Sequence, residues 1–359
     1  MLFKKGVRFD FWSFISVVSL AFFGLFLIIP VGRMVVYAFQ SSEGATFTIE
    51  NFIKFFSRPY YMQALKNSVG IVLYATILVI LIGVPLAYLT ANFQIRGRRL
   101  VDISIIISML SPPFLGAYSW ILMLGRNGDI TSFVRNVFGF EMPSIYGSGG
   151  ILLVFVLKLY PYIYMYTKGA LKKVDASLGE AAESLGYHGI RKVLGVSLPL
   201  VLPTILAGAN VVFLRAFADY GTPRLIGEGY TTLPVIIYQE WVSETGDNAY
   251  FASAVALIMM LIAAIVFLVQ KRISSKKNYT MNMLNPPKPK KLKGISNIVA
   301  HAYVYLVVFL STLPQIYLII VSFRNTKGVM WAEGYGLGNY RNVFQKSMSS
   351  IMNTFNFAL

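Results

Sequence analysis

The chain has 359 residues, 56% of them hydrophobic and only 13% charged, and its 32 Lys and Arg against 15 Asp and Glu leave a net charge of +17. Ordinary globular chains carry roughly 25% charged residues, so this composition excludes a soluble multidomain protein. It equally excludes a nucleic-acid binder, whose surface would be polar between its basic patches. There is no cysteine and only two histidines, His188 and His301. Disulfides, thiolate metal sites and cysteine nucleophiles are therefore absent, and no His, Asp and Glu cluster has metal-ligand spacing.

A helix needs about 20 mostly apolar residues to cross a hydrocarbon layer roughly 30 Å thick. Seven stretches qualify, at 11–39, 68–91, 100–124, 149–167, 200–218, 250–270 and 297–323. Lys4, Lys5 and Arg8 precede the first, but its apolar run is too long for a secretory signal and no small-residue cleavage site comes after it. It is read as an uncleaved span, with Arg33 snorkelling at its outer end. Ser111-Pro112-Pro113 should kink the third.

The fourth span carries Lys158 beside Tyr160, Pro161 and Tyr162. An intramembrane cation costs about 2.5–3.5 kcal/mol on the insertion scale, so Lys158 should face the bundle interior. There it either attracts an anion or pairs with a tyrosine or a backbone carbonyl. Near the outer end of the fifth span, Arg215 and Asp219 stand at i and i+4 and can pair.

With the amino terminus cytoplasmic, nineteen Lys and Arg fall in inner segments, ten in outer segments and three (Arg33, Lys158, Arg215) within spans. Much of the positive charge is thus a topology signal rather than a nucleic-acid or lipid-binding tail. The inner cations include Arg96, Arg98 and Arg99 after the second span, and Lys168, Lys172, Lys173, Arg191 and Lys192 after the fourth. The segment 276–293, with Pro286, Pro287 and Pro289 among lysines, reads as an extended linker.

Beyond that linker the chain repeats itself. After span one come Asn51-Phe52-Ile53-Lys54-Phe55-Phe56 and then Asn67-Ser68 opening span two. After span seven come Asn339-Tyr340-Arg341-Asn342-Val343-Phe344 and then Asn353-Thr354. The offsets are 288 and 286 residues, a pattern common in transporters. From Asn353 only seven residues remain, about 10 Å of helix, so the chain is expected to be a fragment that ends in the stub of an eighth span.

Between spans four and five, Ser177 followed by Glu180 forms a capping box. Leu178, Ala181, Ala182 and Leu185 make one apolar stripe, and Gly186 supplies a left-handed stop. A second short helix with Ile190, Val193 and Leu194 on one face should come next, before Pro199 restarts the chain into span five. Such apolar faces need a cover, from the inner ends of the spans or from a partner protein.

Here the sequence resembles a known family. Glu180-Ala181-Ala182, then Gly186, Val196 and Leu198-Pro199 reproduce the signature of permease subunits of binding-protein-dependent ABC importers, with Val196 where Ile is usual. The resemblance implies an all-α type I importer bundle of seven transmembrane helices plus the stub, in the plasma membrane of a prokaryote. It assigns Glu180, Ala181, Ala182, Leu185, Gly186, Val196, Leu198 and Pro199 to a coupling loop that docks on a separate ATPase. The implied division is a first helix with its outer segment (1–66), a core permease domain (67–272), a linker (273–296) and an incomplete second repeat (297–359).

ATP belongs to the partner on independent grounds, since a phosphate-cradling loop needs Gly-Lys and the chain contains no such pair. The expected partners are ABC ATPase subunits, an extracytoplasmic solute-binding protein and membrane lipid, with no nucleic acid, resident cofactor, metal or catalytic residue. The stretch from Arg215 through Asp219-Tyr220-Gly221-Thr222-Pro223 to Leu233-Pro234 looks like that of fused ferric-iron permeases, which places ferric iron first as solute. Polyamine, phosphonate, sugar phosphate and thiamine are the alternatives on the same machinery, and an ion-coupled secondary transporter is the second class. Lys158, Tyr160, Arg215 and Asp219 are the candidates for the translocation path, and Arg215 or Asp219 also for receiving the binding protein.

Overall fold

A computed structural model describes residues 10–41, 44–110, 112, 114–242, 248–275, 285, 289–327 and 330–358. Lys4, Lys5, Arg8, Ser111, Pro113, Lys276, Lys277, Pro286, Pro287 and Lys288 lie outside the described residues.

The chain opens with α1 (Phe11–Ala38), a hairpin of β1 (Gln40–Ser41) and β2 (Gly44–Phe47), α2 (Glu50–Ser57) and α3 (Pro59–Asn92). Next are α4 (Arg98–Met109), α5 (Leu115–Leu124), α6 (Asp129–Phe138), α7 (Ser148–Leu171), α8 (Ala176–Ser184) and α9 (Gly189–Phe217). Then come α10 (Gly221–Ile226), α11 (Leu233–Val242), α12 (Ala249–Ser275) and α13 (Gly294–Ser322). A second hairpin, β3 (Arg324–Lys327) with β4 (Met330–Tyr335), leads to α14 (Gly338–Lys346) and α15 (Met348–Ala358).

Among the described residues six helices, α1, α3, α7, α9, α12 and α13, are long and apolar enough to cross a membrane. The expected span at 100–124 is not one uninterrupted helix among the described residues. Its two pieces, α4 and α5, have 12 and 10 residues. Proline lacks an amide donor and drives the preceding residue out of the helical region, and Phe114 re-enters the helix through a φ of 69°. The expected kink is a break.

Contacts divide the chain into two compact units, Met1–Gly70 with Tyr230–Lys271, and Ile71–Gly229 with Arg272–Leu359. In the first, Ala38, Ala254 and Leu257 form a small core with Val35, Phe39 and Phe52 around them. Asn67 and Ser68 do not open a helix, because α3 already begins at Pro59. They staple the 230–233 segment instead. The Asn67 side-chain amide donates to the Thr231 carbonyl (3.0 Å), its backbone carbonyl accepts from the Tyr230 hydroxyl (3.1 Å), and Ser68 Oγ accepts from the Leu233 amide (2.8 Å).

The outer motif is also built in this unit. Asn51 donates to the carbonyls of Ala38 (3.2 Å) and Gln40 (2.9 Å), the Thr48 amide donates to the Phe39 carbonyl (2.8 Å), and the Phe39 and Phe52 rings lie 5.0 Å apart. Within the second unit the same arrangement recurs. Asn339 donates to the carbonyls of Ser322 (3.2 Å) and Arg324 (2.8 Å), the Gly336 amide donates to the Phe323 carbonyl (2.7 Å), and the Phe323 and Tyr340 rings lie 5.3 Å apart. An asparagine that ties a short helix to the end of a preceding long one is thus used twice. Asn51→Ala removes two hydrogen bonds from a buried side chain. It is expected to cost about 1–3 kcal/mol, read as a lower midpoint in thermal unfolding of the membrane-embedded chain.

In the second unit α7 packs closely on α3 and α9 through small residues, as membrane helices do. A Cβ added at Gly83 would lie 2.9 Å from Ile163, and one at Gly208 within 3.1 Å of Tyr166. Ala91, Leu171, Val201 and Ile205 form a core beside this contact.

Candidate functional site

The loop between α7 and α9 starts from its cap. Asp175, not Ser177, caps α8: its carboxylate accepts the Ser177 amide at 2.9 Å, so the expected Ser177–Glu180 box is corrected. The helix ends as predicted at Gly186, with φ of 84°. The Gly186 amide donates to the Glu183 carbonyl (3.1 Å) and the Tyr187 amide to the Ala182 carbonyl (2.9 Å), the paired bonds of a glycine stop.

The expected second short helix is not separate from span five. The turn at Gly189–Lys192 runs through one wide π turn at Val193–Ser197 into the long helix. Pro199 cannot donate to the carbonyl one turn back, and such a wide turn absorbs the missing bond.

Ala182 is the buried member of the apolar stripe, while Val196, Leu198 and Pro199 are half-buried. Glu180, Ala181 and Gly186 are all exposed. Leu185, Ile190 and Leu194 are 78%, 74% and 59% exposed, with Leu178 and Tyr187 beside them. The bend thus presents an apolar knob that no other described part of the chain covers.

Behind the knob sits a polar clasp that the sequence alone did not reveal. Glu183 accepts from Lys192 (2.8 Å) and from Lys290 (3.1 Å). The described part of the linker runs alongside: the Asn285 amide donates to the Asp175 carboxylate (2.9 Å), and the Asn285 carbonyl accepts the Ala176 amide (3.0 Å). Lys290 bridges Asn92 (2.8 Å) and Gln94 (3.0 Å) as a single parallel β-pair. Where it is described, the linker is therefore held against the α8 segment rather than extended away from it.

The two lysines hold the Glu183 carboxyl at about 2, below its ordinary value of 4.5. Because the folded value is the depressed one, the clasp is complete above pH 4.5 and is lost as pH falls towards 2. Thermal unfolding of wild type and Glu183→Gln should differ by a constant amount above pH 5, and the difference should shrink as pH falls through about 2; a difference that does not shrink with acid sinks the clasp.

The second site lies in the break region. α9 stops at Phe217, and the chain turns at Ala218–Tyr220 before α10. The α4–α5 break meets it: the Phe114 and Tyr220 rings lie 6.1 Å apart, and a Cβ on Gly221 would lie 2.8 Å from the Phe114 ring. Irregular backbone at membrane depth persists only where it is buried or lines a cavity, and here a cavity of about 440 Å³ opens beside it.

Lys158 reaches the cavity from the middle of α7 and pairs with Asp219 at 2.7 Å, whose other oxygen accepts the Thr222 amide at 2.8 Å. The expected Arg215–Asp219 pair does not form, because Asp219 lies past the end of the helix and the i, i+4 relation fails there. Arg215 instead lies over the Tyr162 ring at 4.6 Å. Tyr160 is fully buried against Ser311 of α13 (2.8 Å) and does not line this cavity. Arg215 and Asp219 do line it, as do Phe114 and Gly221, which composition and periodicity did not single out.

Lys168 is corrected in another way. Instead of a loop cation it is a buried residue of the last turn of α7, held by Asp102 and Tyr164.

The family model described as the binding-protein-dependent transport system inner membrane component matches residues 80–279. The ferric transport system permease protein FbpB of Actinobacillus pleuropneumoniae is 26% identical over 276 residues, 77% of this chain and 39% of that protein. The chain thus spans about two-fifths of the length of the ferric relatives that it matches. The spermidine/putrescine transport system permease protein PotB of Haemophilus influenzae is 27% identical over 262 residues, 70% of this chain and 90% of that one. Among solved structures, one chain of a bacterial alginate ABC transporter in complex with an alginate pentasaccharide-bound periplasmic protein superimposes with a TM-score of 0.63. It has 16% identity and covers 76% of this chain and 96% of its own, a likeness of fold. The chain belongs to the family of binding-protein-dependent transport system inner membrane components and, with several long apolar helices among its described residues, is a multi-pass membrane protein.

Proposed function

We propose that this chain forms the membrane path of an ATP-driven importer, taking its solute from an extracytoplasmic binding protein and coupling to separate ATPase subunits through residues 176–199. The amino terminus and the linker are then cytoplasmic. The observation that carries the reading is the uncovered knob of Leu185, Ile190 and Leu194 around the Gly186 bend. ATP-driven closure of the ATPase pair pulls on this knob, and the pull is the differential contact that a two-state transporter requires.

Ferric iron is the solute favoured by the full-chain resemblance and by the FbpB likeness, whereas PotB is named for a polyamine. Broken helices at membrane depth would also suit an ion-coupled carrier; the docking loop and the family favour the ABC importer. Proteoliposomes that hold the complete complex should take up radiolabelled iron only with ATP inside and binding protein outside. Uptake with no ATPase present would overturn the coupling, and uptake of putrescine in preference to iron would overturn the solute.

A further inference from the structure

We propose that the cavity at the two helix breaks is an oxyanion-binding site, with Arg215 as the direct ligand and Lys158 as the second cation. This deepens the importer reading and rests on it only for the statement that the bound anion travels as cargo.

The lining supplies two cations, Lys158 and Arg215, against one carboxylate, Asp219. That carboxylate is engaged on both oxygens, Oδ2 by Lys158 at 2.7 Å and Oδ1 by the Thr222 amide at 2.8 Å. Among the described residues no carboxylate lies within ion-pairing distance of Arg215, whose guanidinium rests on the face of Tyr162 at 4.6 Å. Stacking on a ring leaves the edge of a guanidinium free, and that edge carries the planar fork of donors that matches carboxylate, phosphonate and similar oxyanions.

An exposed, stacked arginine facing a cavity of about 440 Å³ is therefore a cation whose counter-charge is not supplied by the lining. An arriving oxyanion supplies that charge and draws on Lys158, which lines the same cavity. A polyamine or a bare metal cation meets a lining of net positive charge. A ferric ion is admissible only when wrapped in oxyanion ligands. A phospholipid headgroup offers the same chemistry from another source, and the test separates the two.

The full chain in nanodiscs of phosphatidylglycerol is dialysed to equilibrium against radiolabelled molybdate, methylphosphonate and ferric citrate, with putrescine as the cationic control. At least one oxyanion should bind saturably and putrescine should not. Arg215→Gln should weaken that binding by about ten- to a hundredfold, the loss of one charge-assisted contact. Arg215→Lys, which keeps the charge without the fork, should fall between. Unchanged thermal unfolding of both variants confirms that the fold survives.

Equal binding in Arg215→Gln, absence of binding by all three oxyanions, or saturable putrescine binding overturns the site. Oxyanion binding that appears in detergent and vanishes in phosphatidylglycerol assigns the cavity to a headgroup, and also overturns it. The assay needs no ATPase, so failure of the coupled-transport assay with oxyanion binding intact removes the importer reading alone.

Discussion

Leu185→Asp is expected to abolish ATP-driven transport and ATPase association while the chain folds and inserts normally. Leu185 is 78% exposed, so its replacement costs the isolated fold little. In a docked complex the leucine is covered, which contributes about 1.5–3 kcal/mol, and aspartate would place an unpaired charge there at further cost. The combined loss is about a hundredfold or more in affinity. Co-purification with the ATPase and titration of ATP hydrolysis by the complex read it directly. Glu180→Lys reverses a charge on the same short helix and should also uncouple. Gly186→Trp acts through the backbone as well, since φ of 84° disfavours any side chain by roughly 1–2 kcal/mol. Wild-type transport in Leu185→Asp and Glu180→Lys together would remove the docking role from this loop.

The second large effect belongs to stability. Asp102 holds Lys168 and Tyr164 in the second unit, and Tyr164 in turn bonds Thr90 at 3.1 Å. Lys168 is 6% exposed, so Asp102→Ala leaves a buried ammonium without its counter-ion. Loss of one partner of a buried pair costs about 3–5 kcal/mol, somewhat less here because the Asp102 side chain is 34% exposed. The midpoint of thermal unfolding should drop clearly. The double change Asp102→Leu with Lys168→Met removes both charges and should recover most of the loss. A double variant as unstable as Asp102→Ala would show that packing, not the stranded charge, sets the cost.

Much of the fold was legible in the sequence because hydrophobic length is a local property. Five of the seven apolar stretches, together with the longer helix around 68–91, correspond to the six long helices. The third failed at Pro112, where one helix became two. The glycine stop at Gly186 was legible for the same local reason, whereas the cap was misplaced by two residues because Asp175 and Ser177 are both good caps and only the chain path chose between them. The Asn51 and Asn339 repeat showed up as spacing, yet its purpose, to clasp the carbonyls of the preceding helix end, appeared only in three dimensions.

Residue type and spacing alone determined that this chain lives in a membrane, that its Glu-Ala-Ala segment bends at a glycine, and that a cation sits inside the bilayer. Which partners its charged side chains take was decided by tertiary structure alone. Lys158 meets Asp219 across 61 residues, Lys168 meets Asp102 across 66 and Lys290 meets Glu183 across 107. No periodicity records such separations, since they depend on how helices lie against one another. Arg215 was left over from that pairing because α9 stops at Phe217, which carries Asp219 off the helical face where the two would have met.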